Sequence, residues 1–226
     1  MNAAVNSSQV PAEGGNEGAR ARQYNASGRR ERAARNREAV LDAARQLLLR
    51  DGYASTTIAA VAKAAGVSSE TVYKNFGGKA GLVRGVYERG LLGTGQVPAE
   101  LRSDDAQLHE KDPQRLMESW GFLVAEILPR SAPAWILMRD AAAAGDADLV
   151  LQLDQIRDEK YGRMLGNARR LLASGHAKEG LTDQQAADTM WFYTSPELYE
   201  VLMLQRGWDA DRLAGFVAAG LAAQLL

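Results

Sequence analysis

Gly52-Tyr53-Ala54-Ser55-Thr56-Thr57-Ile58-Ala59-Ala60-Val61-Ala62-Lys63-Ala64-Ala65-Gly66-Val67-Ser68-Ser69-Glu70-Thr71-Val72-Tyr73-Lys74-Asn75-Phe76 is the stretch whose reading decides the fold. Thr56-Thr57 opens a short Ala-rich helix, Gly66 supplies the backbone freedom of a tight reversal, and Ser68 is placed to cap a second short helix. Two short helices joined through a turn of three or four residues containing Gly form a helix-turn-helix, whose second helix can enter the major groove. The small residues Ala59, Ala60, Ala62, Ala64 and Ala65 let the first helix approach its neighbours. Ile58, Val61, Val67, Val72 and Phe76 can fill a miniature core, leaving Ser69, Glu70, Thr71, Lys74 and Asn75 polar at the front of the second helix.

Upstream, Val40, Leu41, Ala44, Leu47 and Leu48 fall at helical spacing between Arg37 and Arg50, with Gly52 placed as a C-terminal stop. Downstream, Leu82, Val83, Val86, Tyr87 and Leu91 predict a helix that begins at Lys79 and ends near Gly93-Thr94-Gly95. A polar stretch then reaches Asp112, where a domain boundary is expected. Residues 35–92 are read as the helix-turn-helix domain and 93–226 as a second helical domain. Residues 1–34, with few apolar positions, are read as a flexible basic arm. Arg20, Arg22, Arg29, Arg30, Arg32 and Arg35 can reach phosphates or a minor groove, or stay solvated.

With its following Lys79 and Leu82, the quoted run resembles the N-terminal domain of TetR-family transcriptional repressors, a match over about a fifth of the chain. The resemblance implies an all-helical fold, DNA binding and a dimer. It implies that Thr57, Tyr73 and Lys79 touch the DNA backbone, which positions without reading sequence. Ser68, Ser69, Glu70, Thr71, Lys74 and Asn75 are the candidates at or before the base edges. Asn75 stands where the family commonly has His or Tyr, and Asn favours adenine by a bidentate contact. Gly77-Gly78 replaces a more polar pair. A core role for Tyr73 and a solvated one for Lys79 are the alternatives.

Bulk properties bound the remaining options. Of 226 residues, 46% are hydrophobic, rich in Ala and Leu rather than β-branched types, which favours helix over strand. There is no cysteine, so disulfides, thiolate metal sites and thiol catalysis are excluded. No apolar run approaches the roughly 18 residues of a membrane span, and a bacterial cytoplasmic location is expected. The net charge of −1 is unevenly divided: residues 1–90 carry 14 Lys+Arg against 8 Asp+Glu, and residues 91–226 carry 13 against 20. Only the front half is suited to a polyanion.

In the rear half the spacing predicts a helix from Pro113 to Leu128 broken by Pro129, and another from Pro133 to Ala144. A long helix from about Asp146 to Ala173 carries Leu149, Leu153, Ile156, Met164, Leu165, Ala168, Leu171 and Leu172 as its stripe. Thr182 with Gln185 is a capping box for a helix through Trp191-Phe192-Tyr193. Further helices follow Ser195-Pro196 and Asp209. Trp120, Trp135, Met138, Arg139, Tyr161, Met164, Trp191 and Phe192 are candidates to line a small-molecule pocket, with core packing as the competing use of each. The run Trp191 to Tyr199 followed by Arg206-Gly207-Trp208 looks like a segment recurring in many TetR-like regulators, whose last helices pair as a four-helix bundle. That resemblance makes Leu198, Val201, Leu202, Phe216 and Leu221 candidate dimer contacts, packing within the subunit being the alternative.

Catalytic constellations are scarce. His109 and His176 lie in polar surroundings without a second ligand at metal spacing, and Asp140, Asp146, Asp148, Asp154, Asp158 and Glu159 read as a solvated face. No nucleophile elbow or phosphate loop occurs. The expectation is a ligand-responsive dimeric repressor acting on a palindromic operator, with no cofactor, no metal and no enzymatic activity. A constitutive DNA-binding protein, or less readily a helical enzyme, is the alternative.

Overall fold

The computed structural model describes residues 15–95 and 97–226, with side chains from residue 28 onward. Among them there is no strand. Helix α1 (Gly15–Ser55) is interrupted at Gly52 (φ 79°, ψ 170°), so the expected stop holds. It is followed by α2 (Ile58–Ala65), α3 (Ser69–Phe76), α4 (Lys79–Leu91), α5 (Ala99–His109), α6 (Pro113–Ala143), α7 (Ala147–Ala173) and α8 (Asp183–Tyr193). A single turn α9 (Pro196–Leu198), a π-helical segment Tyr199–Gln205 and α10 (Ala210–Leu225) complete the order. Of the expected basic arm, residues 1–14 and the side chains of Arg20 and Arg22 lie outside the described residues. From Gly15 the backbone runs as helix into the scaffold part of α1, and residues 28–35 are exposed along it.

Two buried clusters organise the packing. The first joins Val40, Leu41, Ala44 and Leu48 of α1 to Val61, Val72, Leu82 and Val83, and it also takes in Ala134, Trp135 and Met138 of α6 and Leu149, Leu153 and Ile156 of α7. The second is built from the front of α6, the rear of α7, and α5, α8 and α10. The long helices α6 and α7 thus belong to both clusters, and the unit over 35–92 shares its core with the one over 93–226.

The break expected at Pro129 does not occur: α6 runs through Pro129 and Pro133 without ending. Each proline removes one backbone bond and crowds the preceding turn, at roughly 3 kcal/mol. They lie four residues apart, so the losses fall on one side of the helix. In the same stretch Arg130 donates Nη1 to the Glu126 carbonyl at 2.8 Å and Ser131 donates Oγ to that of Ile127 at 3.1 Å. Leu128, Trp135 and Met138 are buried around the same turns, and at roughly 1.5–3 kcal/mol per buried large side chain their burial is of the same order as the proline cost.

The polar stretch to Asp112 also contains an element that periodicity does not show. Of α5 only Ala99 is buried, while Leu101 and Leu108 are exposed. A helix docked by one small residue and by polar contacts such as Arg102 to Glu126 (2.7 Å) has no apolar stripe to read. Elsewhere the caps follow expectation. Asp146 accepts from Leu149 N–H at the start of α7, Thr182 and Gln185 exchange both capping-box bonds, and Asp209 accepts from Arg212 N–H.

Candidate DNA-reading surface and effector cavity

The reading unit is assembled from local rules. Thr57 accepts from Ala60 N–H at 3.1 Å and caps α2. Gly66, at φ 66° and ψ 29°, takes the left-handed conformation that ends α2, and Val67 N–H returns to the Ala62 carbonyl at 3.0 Å. Ser68 accepts from Thr71 N–H at 3.2 Å and starts α3. Ile58, Val61, Ala62 and Val72 are buried, Val67 and Phe76 partly so, and the Arg37 guanidinium lies 4.6 Å from the Phe76 ring centre. The other alanines divide: Ala65 packs against this core, while Ala59, Ala60 and Ala64 face outward.

This leaves one face of α3 open. Tyr73 is 55% exposed, which removes the core role as its use in the subunit. Glu70, Lys74 and Asn75 are exposed, and Ser69 and Thr71 are partly so. Ser68 and Thr71 hydroxyls lie 2.9 Å apart and serve the cap. Asn75 donates Nδ2 to the Thr71 carbonyl at 2.8 Å, so a bidentate contact with a base needs that bond to exchange. Thr57 is exposed at the start of α2. Lys79 donates to the Ala54 carbonyl at 3.2 Å and sits 4.2 Å from the Tyr53 ring centre. Desolvation there pulls its ammonium below the ordinary range, an effect the Asp146 carboxylate opposes.

Side chains also tie this unit to the rear helices. Tyr53 donates its hydroxyl to Asp146 Oδ2 at 2.8 Å, joining the end of α1 to the cap of α7; burial and that carboxylate raise the phenol's pKa. Arg84 of α4 donates to Glu88, to Gln155 and to Glu159 of α7 at 2.7–2.9 Å. Arg89 pairs with Asp42 of α1 at 2.7 Å. Where α4 crosses α6, a Cβ on Gly90 would lie 2.7 Å from the Arg130 carbonyl group and from the Ser131 Cα, so only glycine permits this approach.

Between α4, α5, α6, α7, α8 and α10 lies a cavity of about 440 Å³, within the usual range of ligand pockets. Its apolar wall includes Leu123, Val124, Leu128, Ile156 and Leu221, and Tyr87, Glu88 and Leu91 of α4 join it with the following Leu92. Burial pushes the Tyr87 phenol up to about 12. Of the pocket candidates read from the sequence, Trp120 and Met164 line this cavity. Trp135, Trp191 and Phe192 line a neighbouring cleft of about 360 Å³ that shares Tyr87, Ile156, Lys160 and Pro196 with it. Three candidates line neither: Met138 is buried in the first core, Arg139 pairs with Glu200 at 2.7 Å, and Tyr161 packs edge-on against Trp191.

Lys160 and Asn167 are wall residues that sequence reasoning missed. Lys160 follows Asp158-Glu159 in a run with every appearance of a solvated face. Its ammonium instead donates to the Thr194 carbonyl at 3.0 Å and lies 4.6 Å from the Trp191 ring centre. Desolvation drives it down to about 8, with Glu197 opposing.

The candidate dimer residues also divide. Val201 and Phe216 are 46% and 39% exposed, beside the exposed Leu204 and Phe192. Leu198 and Leu202 are half-buried against the second core. Leu221 is 2% exposed and lines the cavity, so its place is within the subunit, the alternative that spacing left open.

An open three-residue turn, a capped and outward-facing second helix and a larger helical bundle behind them define a helix-turn-helix protein with an appended bundle. Residues 40–86 match the family described as bacterial regulatory proteins, tetR family. The chain is 47% identical over 49 residues to the HTH-type transcriptional regulator AlkX of Mycobacterium tuberculosis, a match over 22% of this chain and 23% of that protein. The similarity thus spans about a quarter of that relative's length. In fold it resembles the regulator FadR of Bacillus subtilis in complex with stearoyl-CoA (TM-score 0.63, 19% identity, 82% of this chain and 97% of that one). It also resembles NalD, the secondary repressor of a multidrug efflux pump in Pseudomonas aeruginosa (TM-score 0.63, 19% identity, 86% and 98%). Residues 40–86 thus match the DNA-binding domain of tetR-family regulators, and the described residues share the all-helical fold of these structures. Among the described residues no helix is long and apolar enough to cross a membrane.

Proposed function

We propose that the chain is a transcriptional repressor that binds a palindromic operator as a homodimer and releases it when a small molecule occupies the bundle cavity. The observation that carries this reading is the position of α4. Its first turns pack on the reading unit through Leu82 and Val83, while Tyr87, Glu88, Leu91 and Leu92 farther along form a wall of the cavity. An occupant that fits one placement of α4 better than another shifts the population of reading-head placements by that difference in affinity. The Gly90 crossing and the Tyr53–Asp146 bond transmit such a shift, because close-packed contacts have discrete arrangements rather than continuous ones. The fold shared with FadR in complex with stearoyl-CoA and with the repressor NalD supports the same reading.

The exposed apolar side chains Val201, Leu204 and Phe216, with Phe192 nearby, support pairing of the last helices, with Leu198 and Leu202 at the margin. A twofold dimer presents two α3 helices to two half-sites. In this reading Tyr73, Thr57 and Lys79 hold the phosphates. Glu70, Lys74 and Asn75, beside Ser69 and Thr71, face the bases, and Ser68 orients the helix.

The test is binding of the full chain to the DNA flanking its own coding region at two salt concentrations, beside a Tyr73→Ala, Lys79→Ala variant. Tight binding that weakens steeply with salt and is lost in the variant is expected. Equal affinity of wild type and variant for every fragment, in this DNA and in a genome-wide selection, refutes the reading head.

A further inference from the structure

Two hydrogen-bond donors belong to residues of the cavity wall, one without an acceptor and one without an ion-pair partner. Trp120 is 6% exposed and forms part of the wall, and its indole N–H has no acceptor among the described residues. A buried polar group without a partner is rare enough in native structures to call for one. The second donor is Lys160. Its ammonium has backbone carbonyls and a tryptophan face for company, yet no carboxylate forms an ion pair with it among the described residues.

The other charged walls are already matched. Glu88 and Glu159 share Arg84 at 2.7 and 2.9 Å, and Arg163 donates to Asp104 and to the Glu100 carbonyl, while Glu100 itself is exposed. Lys160 is therefore the half-buried cation of this cavity with no carboxylate in ion-pair contact, the Glu197 charge acting on it from the outer cleft, and it stands where cavity and outer cleft share their lining. A neutral apolar occupant gives the ammonium no counter-charge, and a cationic one adds repulsion to desolvation.

We propose that the cavity takes an amphipathic carboxylic acid. Its apolar body lies along Leu123, Val124, Leu128 and Met164, and its carboxylate meets the Lys160 ammonium. This assignment rests on reading the cavity as the effector site.

Calorimetric titration of the full chain with dodecanoate, methyl dodecanoate and dodecyltrimethylammonium, each below its micellar concentration, tests it. Dodecanoate is expected to bind at least about tenfold tighter than the other two. Lys160→Met abolishes that preference and Lys160→Arg retains it. Matching affinity of the ester or the ammonium, a preference that survives Lys160→Met, or no binding of any probe to the wild type overturns the assignment. The same mixtures are scored for release of bound DNA. Binding of the acid without release refutes the release mechanism and upholds the ligand class, whereas release by a non-acid while no acid binds does the reverse.

Discussion

Replacing Lys160 by methionine keeps an unbranched side chain in place but removes the one titration that burial in the bundle perturbs most usefully. Desolvation lowers the Lys160 ammonium from its ordinary 10.5 to about 8. Between those values the unfolded chain holds a proton that the folded chain has released, so wild-type stability rises with pH there. The cost of burying the charge is fully present below about pH 8 and fades as pH climbs toward 10.5. A full one-proton difference corresponds to about 1.4 kcal/mol per pH unit, and integration from pH 7.5 to 9.5 leaves a gain of about 2 kcal/mol.

Lys160→Met lacks this gain. Urea unfolding of both proteins at pH 7.5, 8.5 and 9.5, at one protein concentration so that association is held constant, reads the difference. Raised phenols such as Tyr87 act above about pH 10 and are common to both proteins, so they cancel. At pH 7.5 the variant also loses the bond to the Thr194 carbonyl and the contact with the Trp191 face, so the diagnostic quantity is the slope rather than either stability. Parallel pH profiles for wild type and variant refute the claim that this ammonium is desolvated, and with it the electrostatic basis for the anion site.

Three further outcomes are expected. Gly90→Ala forces a methyl against the α6 backbone at Arg130 and Ser131; overpacking of this kind costs about 1–3 kcal/mol and lowers Tm by about 3–10 °C, and an unchanged Tm removes the close α4–α6 crossing. Tyr53→Phe deletes the donor to Asp146 while keeping the ring under Lys79, and chemical unfolding should show a loss of about 1–2 kcal/mol. Glu126 accepts from Arg102 and from Thr94, which hold its carboxyl down at about 2. Its stabilisation is present above about pH 4.5 and is lost as pH falls toward 2, so Glu126→Gln should cost on the order of 1 kcal/mol at neutral pH after solvent screening and flatten the acid limb of the stability curve.

Local rules were enough wherever a feature depends on neighbours in the chain. The Gly66 reversal, the Ser68 and Thr57 caps, the stop at Gly52, the Thr182–Gln185 capping box and the stripe of α7 are all set within one or two helical turns, and each stands as its spacing predicts. The helix-turn-helix was legible for that reason. Its front face was legible as well, because Tyr73, Lys74 and Asn75 are polar or amphipathic residues beside a small apolar set that must turn inward.

Features that depend on distant partners were decided by tertiary structure. Proline rules break α6 at Pro129, yet burial of Leu128, Trp135 and Met138 between remote helices keeps it whole. Helix α5 has no apolar stripe and is held by a salt bridge to another element. The aromatic residues that looked alike in sequence separate into cavity wall, outer cleft and core according to which helix crosses them, and Leu221 turns inward where its spacing fitted either side. Lys160 is the clearest case. It directly follows Asp158 and Glu159, which read as a solvated face, and only the approach of α8 across α7 sets a carbonyl and an indole over the ammonium and desolvates it. The chain by itself determined the DNA-reading unit because hydrogen bonds and side-chain period act over a few residues. The cavity was decided by the crossing of helices far apart in sequence, because desolvation depends on everything packed around a group rather than on what precedes or follows it.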